Sequence, residues 1–193
     1  MVLIIGAIAS GCTTLTPAIT TSDTSRHPYQ EKLSLNGRIH ILYQQGGKEQ
    51  SLPGNFEWLQ NETDTNITLL SQLGQTIASI NQNATGATLQ QANQPTRTSP
   101  DLDTLLGETL GWPMPMLGLR DWLQGYIKNQ EGKRIAVQAK ENQTSIADGW
   151  QLRYVSWQED AGKTHPRRID LRRYTAQAGE VTLRIVIDEW KAP

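Results

Sequence analysis

Between residues 33 and 44 the chain reads LSLNGRIHILYQ. Leu33, Leu35, Ile39, Ile41 and Tyr43 fall on one face, and Ser34, Asn36, Arg38, His40 and Gln44 lie mostly on the other. A period of two over this length predicts a half-buried strand. Gly46, Gly47 and Lys48 then signal a turn. GNFEWLQ follows with Phe56 and Trp58 on one face, and TNITLLS, GQTIASI and ATLQQ continue in short strand-like runs. The first half reads as an antiparallel meander.

The period changes in the middle. In SPDLDTLLGETLG, Ser99 is placed as an N-cap, Pro100 at the first helical position, and Asp101 and Asp103 in the first turn. Leu102, Leu105, Leu106 and Leu110 keep a helical spacing until Gly111 and WPMP stop it. A second short helix fits GLRDWLQGY, with Leu119, Trp122, Leu123 and Tyr126 on one stripe. Strand patterns resume in RIAVQAK, GWQLRYVSWQ, RRIDLRRY and EVTLRIVIDEW. Nine or ten strands and two short helices predict a mainly β protein. Its large antiparallel sheet must close or pack on something to bury its apolar face. The expectation is a barrel or half-barrel with the helices across one opening.

Composition narrows the partners. The chain of 193 residues fits one domain with at most a tail, and its net charge of -1 exerts no overall pull on nucleic acid. Cys12 is the only cysteine, so no internal disulfide forms. It follows a short apolar run at residues 2–9 and the small residues Ala9, Ser10 and Gly11. That run is too short to span a bilayer as a helix, and small side chains before a cysteine suit a signal-peptidase cleft. The stretch resembles a bacterial lipobox, although no Lys or Arg precedes Cys12. In that class the cysteine carries a diacylglycerol and an N-acyl chain, and Thr13 in place of Asp implies export to the outer membrane. Residues 1–11 are then a lipoprotein signal peptide. Residues 12–32, Thr- and Ser-rich, form a lipidated flexible tether, and residues 33–193 form the domain.

Catalytic signatures are weak. AGKT at 161–164 resembles the end of a phosphate loop, but Trp157 stands where its glycine belongs, so a hairpin turn fits better. His27, His40 and His165 lack metal-ligand spacing, and no G-x-S-x-G elbow occurs. Asp101 with Asp103, and Asp188 with Glu189, read as helix-start and solvent-face charge. No enzyme and no cofactor beyond the covalent lipid is expected. The apolar inventory is more telling: six tryptophans against one phenylalanine. They fit a filled core or a lined pocket equally. Leu73, in SQLGQ, puts a large apolar group where a polar turn belongs; it is either a strand-end core residue or a lipid-touching finger. Arg167, Arg168, Arg172 and Arg173 fit a solvated strand face, a lipid-phosphate contact or an acidic partner.

The segments LLSQLGQTIASI and LDTLLGETLGWPMPMLGLRDWLQG resemble the LolB family of outer-membrane lipoprotein receptors, in order and spacing from about Leu33 to Trp190. The LGWPMP…L..W..G block is the specific part. The resemblance implies an unclosed antiparallel β-barrel of about ten strands, with a lid of short helices over an apolar cavity. It implies a monomer that takes acylated lipoproteins from the periplasmic carrier LolA and places them among outer-membrane phospholipids, with no nucleic acid involved. Cys12 matches the lipidated cysteine and Leu73 the protruding leucine needed for membrane insertion. Trp58, Leu105, Leu106, Trp112, Met114, Met116 and Trp122 match apolar positions of sheet and lid. Gln72 departs from the proline common before that leucine, which bears on the stiffness of the loop. Two rival classes make opposite demands. An envelope scaffold needs a filled core and an indifferent Leu73; a hydrolase needs a convergent acid/base pair.

Overall fold

Alternating apolar positions build long strands that must share one buried face. A computed structural model describes residues 26–111 and 114–192. Cys12, the leader and Trp112 lie outside the described residues. The first half gives β1 (Leu33–Gln45), β2 (Lys48–Gln60), β3 (Thr65–Leu70), β4 (Thr76–Asn83), β5 (Gly86–Gln91) and β6 (Arg97–Ser99). Two helices follow, α1 (Leu102–Leu110) and α2 (Met116–Trp122). The second half gives β7 (Tyr126–Lys128), β8 (Arg134–Ala136), β9 (Gln143–Ala147), β10 (Trp150–Asp160), β11 (Lys163–Thr175) and β12 (Gly179–Lys191).

Ten of the strands form one antiparallel sheet in the order β6-β5-β4-β3-β2-β1-β12-β11-β10-β9; β7 and β8 pair separately. Because β1 pairs with β12, the two meanders join into one surface. Its edges, β6 and β9, do not meet, so the barrel is unclosed. The inner face carries Leu35, Leu152, Tyr154, Ile169, Val181 and Ile187, all fully buried. Helix α1 packs on β5 and β6, and α2 packs beside β7. The upper end holds the β1–β2, β3–β4, β9–β10 and β11–β12 turns. The lower end holds the β2–β3, β4–β5 and β10–β11 turns.

Helix boundaries differ from expectation. Ser99 is the last residue of β6, paired with Ala87. The N-cap is Asp101 instead, whose carboxylate accepts the Thr104 N–H at 2.8 Å. Both residues are good caps; the strand pairing claims the first. The second helix stops at Trp122 rather than reaching Tyr126, which opens β7. Its last turn tightens through N–H groups of Gln124 and Gly125 bonding three residues back, to Asp121 and Trp122. The AGKT turn joins β10 to β11 as a hairpin.

Residues 26–32, grouped by composition with the tether, lie on the domain. The His27 N–H donates to the Thr164 carbonyl at 3.1 Å. Arg26 is buried, donates to the Gly125 carbonyl at 2.7 Å and sits 4.7 Å over the Trp157 ring.

Candidate functional site

The sheet and lid flank a hollow. Its sheet wall is Ile39 from β1, Phe56 and Trp58 from β2, Ile67 and Leu69 from β3, Ile80 from β4 and Ile185 from β12. Met114, Met116, Leu119 and Leu123, in and around α2, form the lid wall. The lining is apolar throughout, and the free space is about 30 Å³. That leaves room for only small groups, and the Met and Leu side chains of the lid pack in one core with the sheet wall.

The indole N–H of this wall is turned away from the hollow. Trp58 Nε1 donates to Gln60 Oε1 at 3.0 Å, leaving the indole ring on the hollow. Gln60 belongs to a buried polar plug at the lower end. Gln60 Nε2 and Gln124 Nε2 both donate to the Gln30 carbonyl at 3.0 Å, and the Gln30 N–H donates to Gln124 Oε1 at 2.8 Å. The plug ties the docked N-terminal segment, the sheet and the end of α2 together.

The lid is fastened unevenly. At the C-terminal end of α2, Arg120 donates to Thr65 Oγ1 and to the Asn61 carbonyl at 3.1 and 2.7 Å. Buried Asp121 pairs with Arg134 at 2.7 Å and with Lys128 at 3.7 Å. Arg134 itself stacks on Tyr29 at 3.7 Å. Tyr154 Oη donates to the Trp122 carbonyl at 3.2 Å. At the N-terminal end, the Met116 N–H donates to Asp103 Oδ1 at 3.2 Å. Burial raises the Asp103 carboxyl above the usual carboxylate range, partly opposed by that bond. Gly118 is needed inside α2 because Trp122 lies across it. A Cβ there would come within 2.4 Å of the indole.

Trp58, Met114 and Met116 of the expected set are therefore on the hollow. Leu105, Leu106 and Trp122 are buried but do not line it. Phe56, Leu119 and Leu123 do line it; their periodicity with Trp58 and Trp122 was the available signal. Ile67, Leu69 and Ile80 carried only ordinary strand patterns.

Leu73 stands apart, 89% exposed at the β3–β4 turn. Hydrogen bonds, rather than a proline at position 72, hold the turn. The Gly74 N–H bonds to the Ser71 carbonyl at 2.9 Å, and the Ser71 N–H to the Gln75 carbonyl at 2.8 Å. The Ser71 hydroxyl accepts the Gln75 N–H at 3.1 Å, and Asn55 Nδ2 braces the Ser71 carbonyl at 3.1 Å. Gly74 supplies the left-handed conformation, φ 80°, that closes the turn.

His27 and His165, distant in sequence, come together with rings 5.5 Å apart, and His165 stacks on Trp190 at 4.4 Å. Burial lowers both imidazoles below their usual range. Among the described residues, no group of three or more His, Cys, Asp or Glu is placed to hold a metal. No helix among them is long and apolar enough to cross a membrane.

An unclosed antiparallel barrel with a helical lid over an apolar hollow is the class of fold these strands and helices define. The particular family follows from sequence: the chain belongs to the outer membrane lipoprotein LolB family, whose model matches residues 31–190. It is 38% identical over 153 residues to the outer-membrane lipoprotein LolB of Cupriavidus necator, covering 79% of this chain and 77% of that one. It is 33% identical over 191 residues to that of Ralstonia nicotianae, covering 95% and 91%. Membership makes it an outer-membrane lipoprotein of the Lol pathway.

Proposed function

We propose that this protein accepts acylated lipoproteins from the soluble carrier LolA and inserts them into the outer membrane, without catalysing a reaction. The observation that carries the reading is the wholly apolar hollow closed by the Met114–Leu123 lid. An exposed sixteen-carbon chain forgoes on the order of 10 kcal/mol of burial, so a transfer protein must replace the carrier's apolar contact with its own. A hollow of about 30 Å³ takes such a chain only when the lid lifts. The lifting end is the N-terminal end of α2, where the Asp103 bond is the tie, and the Arg120 and Asp121 end is the hinge. Methionines suit the moving wall because they repack around varied shapes.

Residues 1–11 serve as the cleaved leader, and Cys12 carries the lipid anchor as the covalent diacylglycerol and N-acyl group. The stretch from Cys12 toward residue 26 tethers the domain, raising its effective concentration at the bilayer. Leu73 enters the phospholipid leaflet and helps release cargo. The protein acts as a monomer.

Anchored protein in liposomes is mixed with LolA loaded with a tri-acylated lipoprotein. The wild type moves cargo into the bilayer. Leu73→Glu takes cargo from the carrier but leaves it undelivered. If the wild type takes no cargo, the interior is simply a core and an envelope-scaffold role replaces this one.

A further inference from the structure

Among the described residues, the three most exposed large apolar side chains are Leu73, Ile146 and Tyr174, at 89%, 78% and 78%. They come from the β3–β4 turn, β9 and β11, yet strand direction brings all three to the upper end. Ile146 lies one residue before the end of β9, and Tyr174 one before the end of β11. Both strands end at upper turns. Leu73 is separated from the other two across the sheet by β2, β1 and β12.

Ile146 and Tyr174 line one shallow groove of about 350 Å³ at the upper rim, with Arg172, Arg173 and Glu180 beside them. Cross-strand register explains the grouping: Ile146 pairs with Gln151, and Gln151 with Arg172. The surrounding charge is cationic. Arg153, Arg168 and Arg184 all converge on the single carboxylate of Asp170, at 2.8, 2.8 and 3.3 Å. Arg172 reaches Glu180 at 3.7 Å, and Arg173 donates to the Asp148 carbonyl at 3.3 Å. Five arginines thus share two carboxylates, Asp170 and Glu180, and a backbone carbonyl, and the side chains of Arg153, Arg172 and Arg184 stay half exposed.

A tyrosine and an isoleucine in water beside excess guanidinium suit a water–lipid boundary. The ring and the aliphatic group enter the headgroup layer while arginine holds phosphate. We propose that the Ile146–Tyr174 groove is a second membrane contact, binding phospholipid phosphate across the mouth of the barrel from Leu73. The inference rests on the reading of Leu73 as a membrane finger. Two separated contacts fix the tilt of the barrel, so its upper rim, rather than one loop, meets the leaflet.

The test uses anchored full-length protein whose native cysteine has been shown blocked to thiol reagents. Single cysteines at Leu73, Ile146, Tyr174 and, at the lower end, Leu59 carry an environment-sensitive dye. Vesicles are phosphatidylethanolamine with or without phosphatidylglycerol, and nitroxide lipids quench from headgroup depth. Quenching is expected at 73, 146 and 174 and not at 59. Arg172→Gln with Arg173→Gln should cut it at least twofold at 146 and 174 while leaving 73 unchanged. Quenching at 73 alone overturns this contact and leaves the Leu73 finger standing. Quenching at 146 and 174 without 73 sinks the finger and, with it, the two-contact arrangement proposed. Dyes at 146 and 174 that are silent in vesicles but shielded by LolA mark a protein-docking face and overturn the proposal.

Discussion

The two walls of the hollow are made from different materials. The sheet wall draws on five strands joined by continuous main-chain bonding, and four of its side chains are isoleucines, stiff at χ1. The lid wall is a helix of seven residues and its flanks, lined by methionine and leucine. Strong polar ties hold its C-terminal end, and the Asp103 carboxylate meets its N-terminal end. If the lid hinges as proposed, the hollow widens by moving the lid wall alone. On the proposed function, the contrast assigns stability to the sheet and adaptability to the lid.

The largest effect should come from the sheet. Leu152→Ala removes a fully buried side chain and should cost about 3 kcal/mol or more in denaturant unfolding. Leu119→Ala, on the lid beside existing free space, should cost half as much or less, because the helix can settle inward. Equal losses would erase the distinction between the walls. Next comes Gly118→Ala, where the new methyl meets the Trp122 ring. A loss of about 1–3 kcal/mol is expected, with faster hydrogen exchange across residues 116–122 and unchanged protection in β1 and β12. Asp101→Ala, which removes the α1 cap, should cost about 1 kcal/mol and fray the start of α1 alone.

The smallest effect is a pH dependence outside both walls. Burial opposes ionisation of Asp170, but hydrogen bonds from Arg168 and Arg153 outweigh it and hold the carboxyl below the usual range. Its contribution is therefore present above the unfolded aspartate value of about 3.9 and is lost as pH falls through the lower folded value. Asp170→Asn should be less stable at neutral pH and lose less on acidification. Matching slopes for variant and wild type between pH 5 and 2 would contradict this.

Much of the scaffold is legible as periodicity. The long strands β1, β10, β11 and β12 announce themselves by alternation that a half-buried surface requires. Strands β6, β7 and β9, three to five residues long, exist through their neighbours and leave no pattern of their own. Helical spacing shows that Leu105 and Trp122 are buried. It does not show whether the surface they meet is the hollow or the packed sheet, which is why Leu119 and Leu123 hold the place expected for them. Leu73 was legible because a leucine at a turn is anomalous. The docking of residues 26–32 was not, since the Gln30–Gln124 bonds join positions 94 residues apart.

The most direct test places a photo-crosslinking residue in turn at Trp58, Leu119, Leu105 and Trp122, then mixes each anchored variant with LolA carrying a lipoprotein with labelled acyl chains. Crosslinks to the acyl chains from positions 58 and 119, with few from 105 and 122, are the expected result. Equal crosslinking from all four, or none from 58 and 119, would contradict the hollow under the lid as the acyl-chain site.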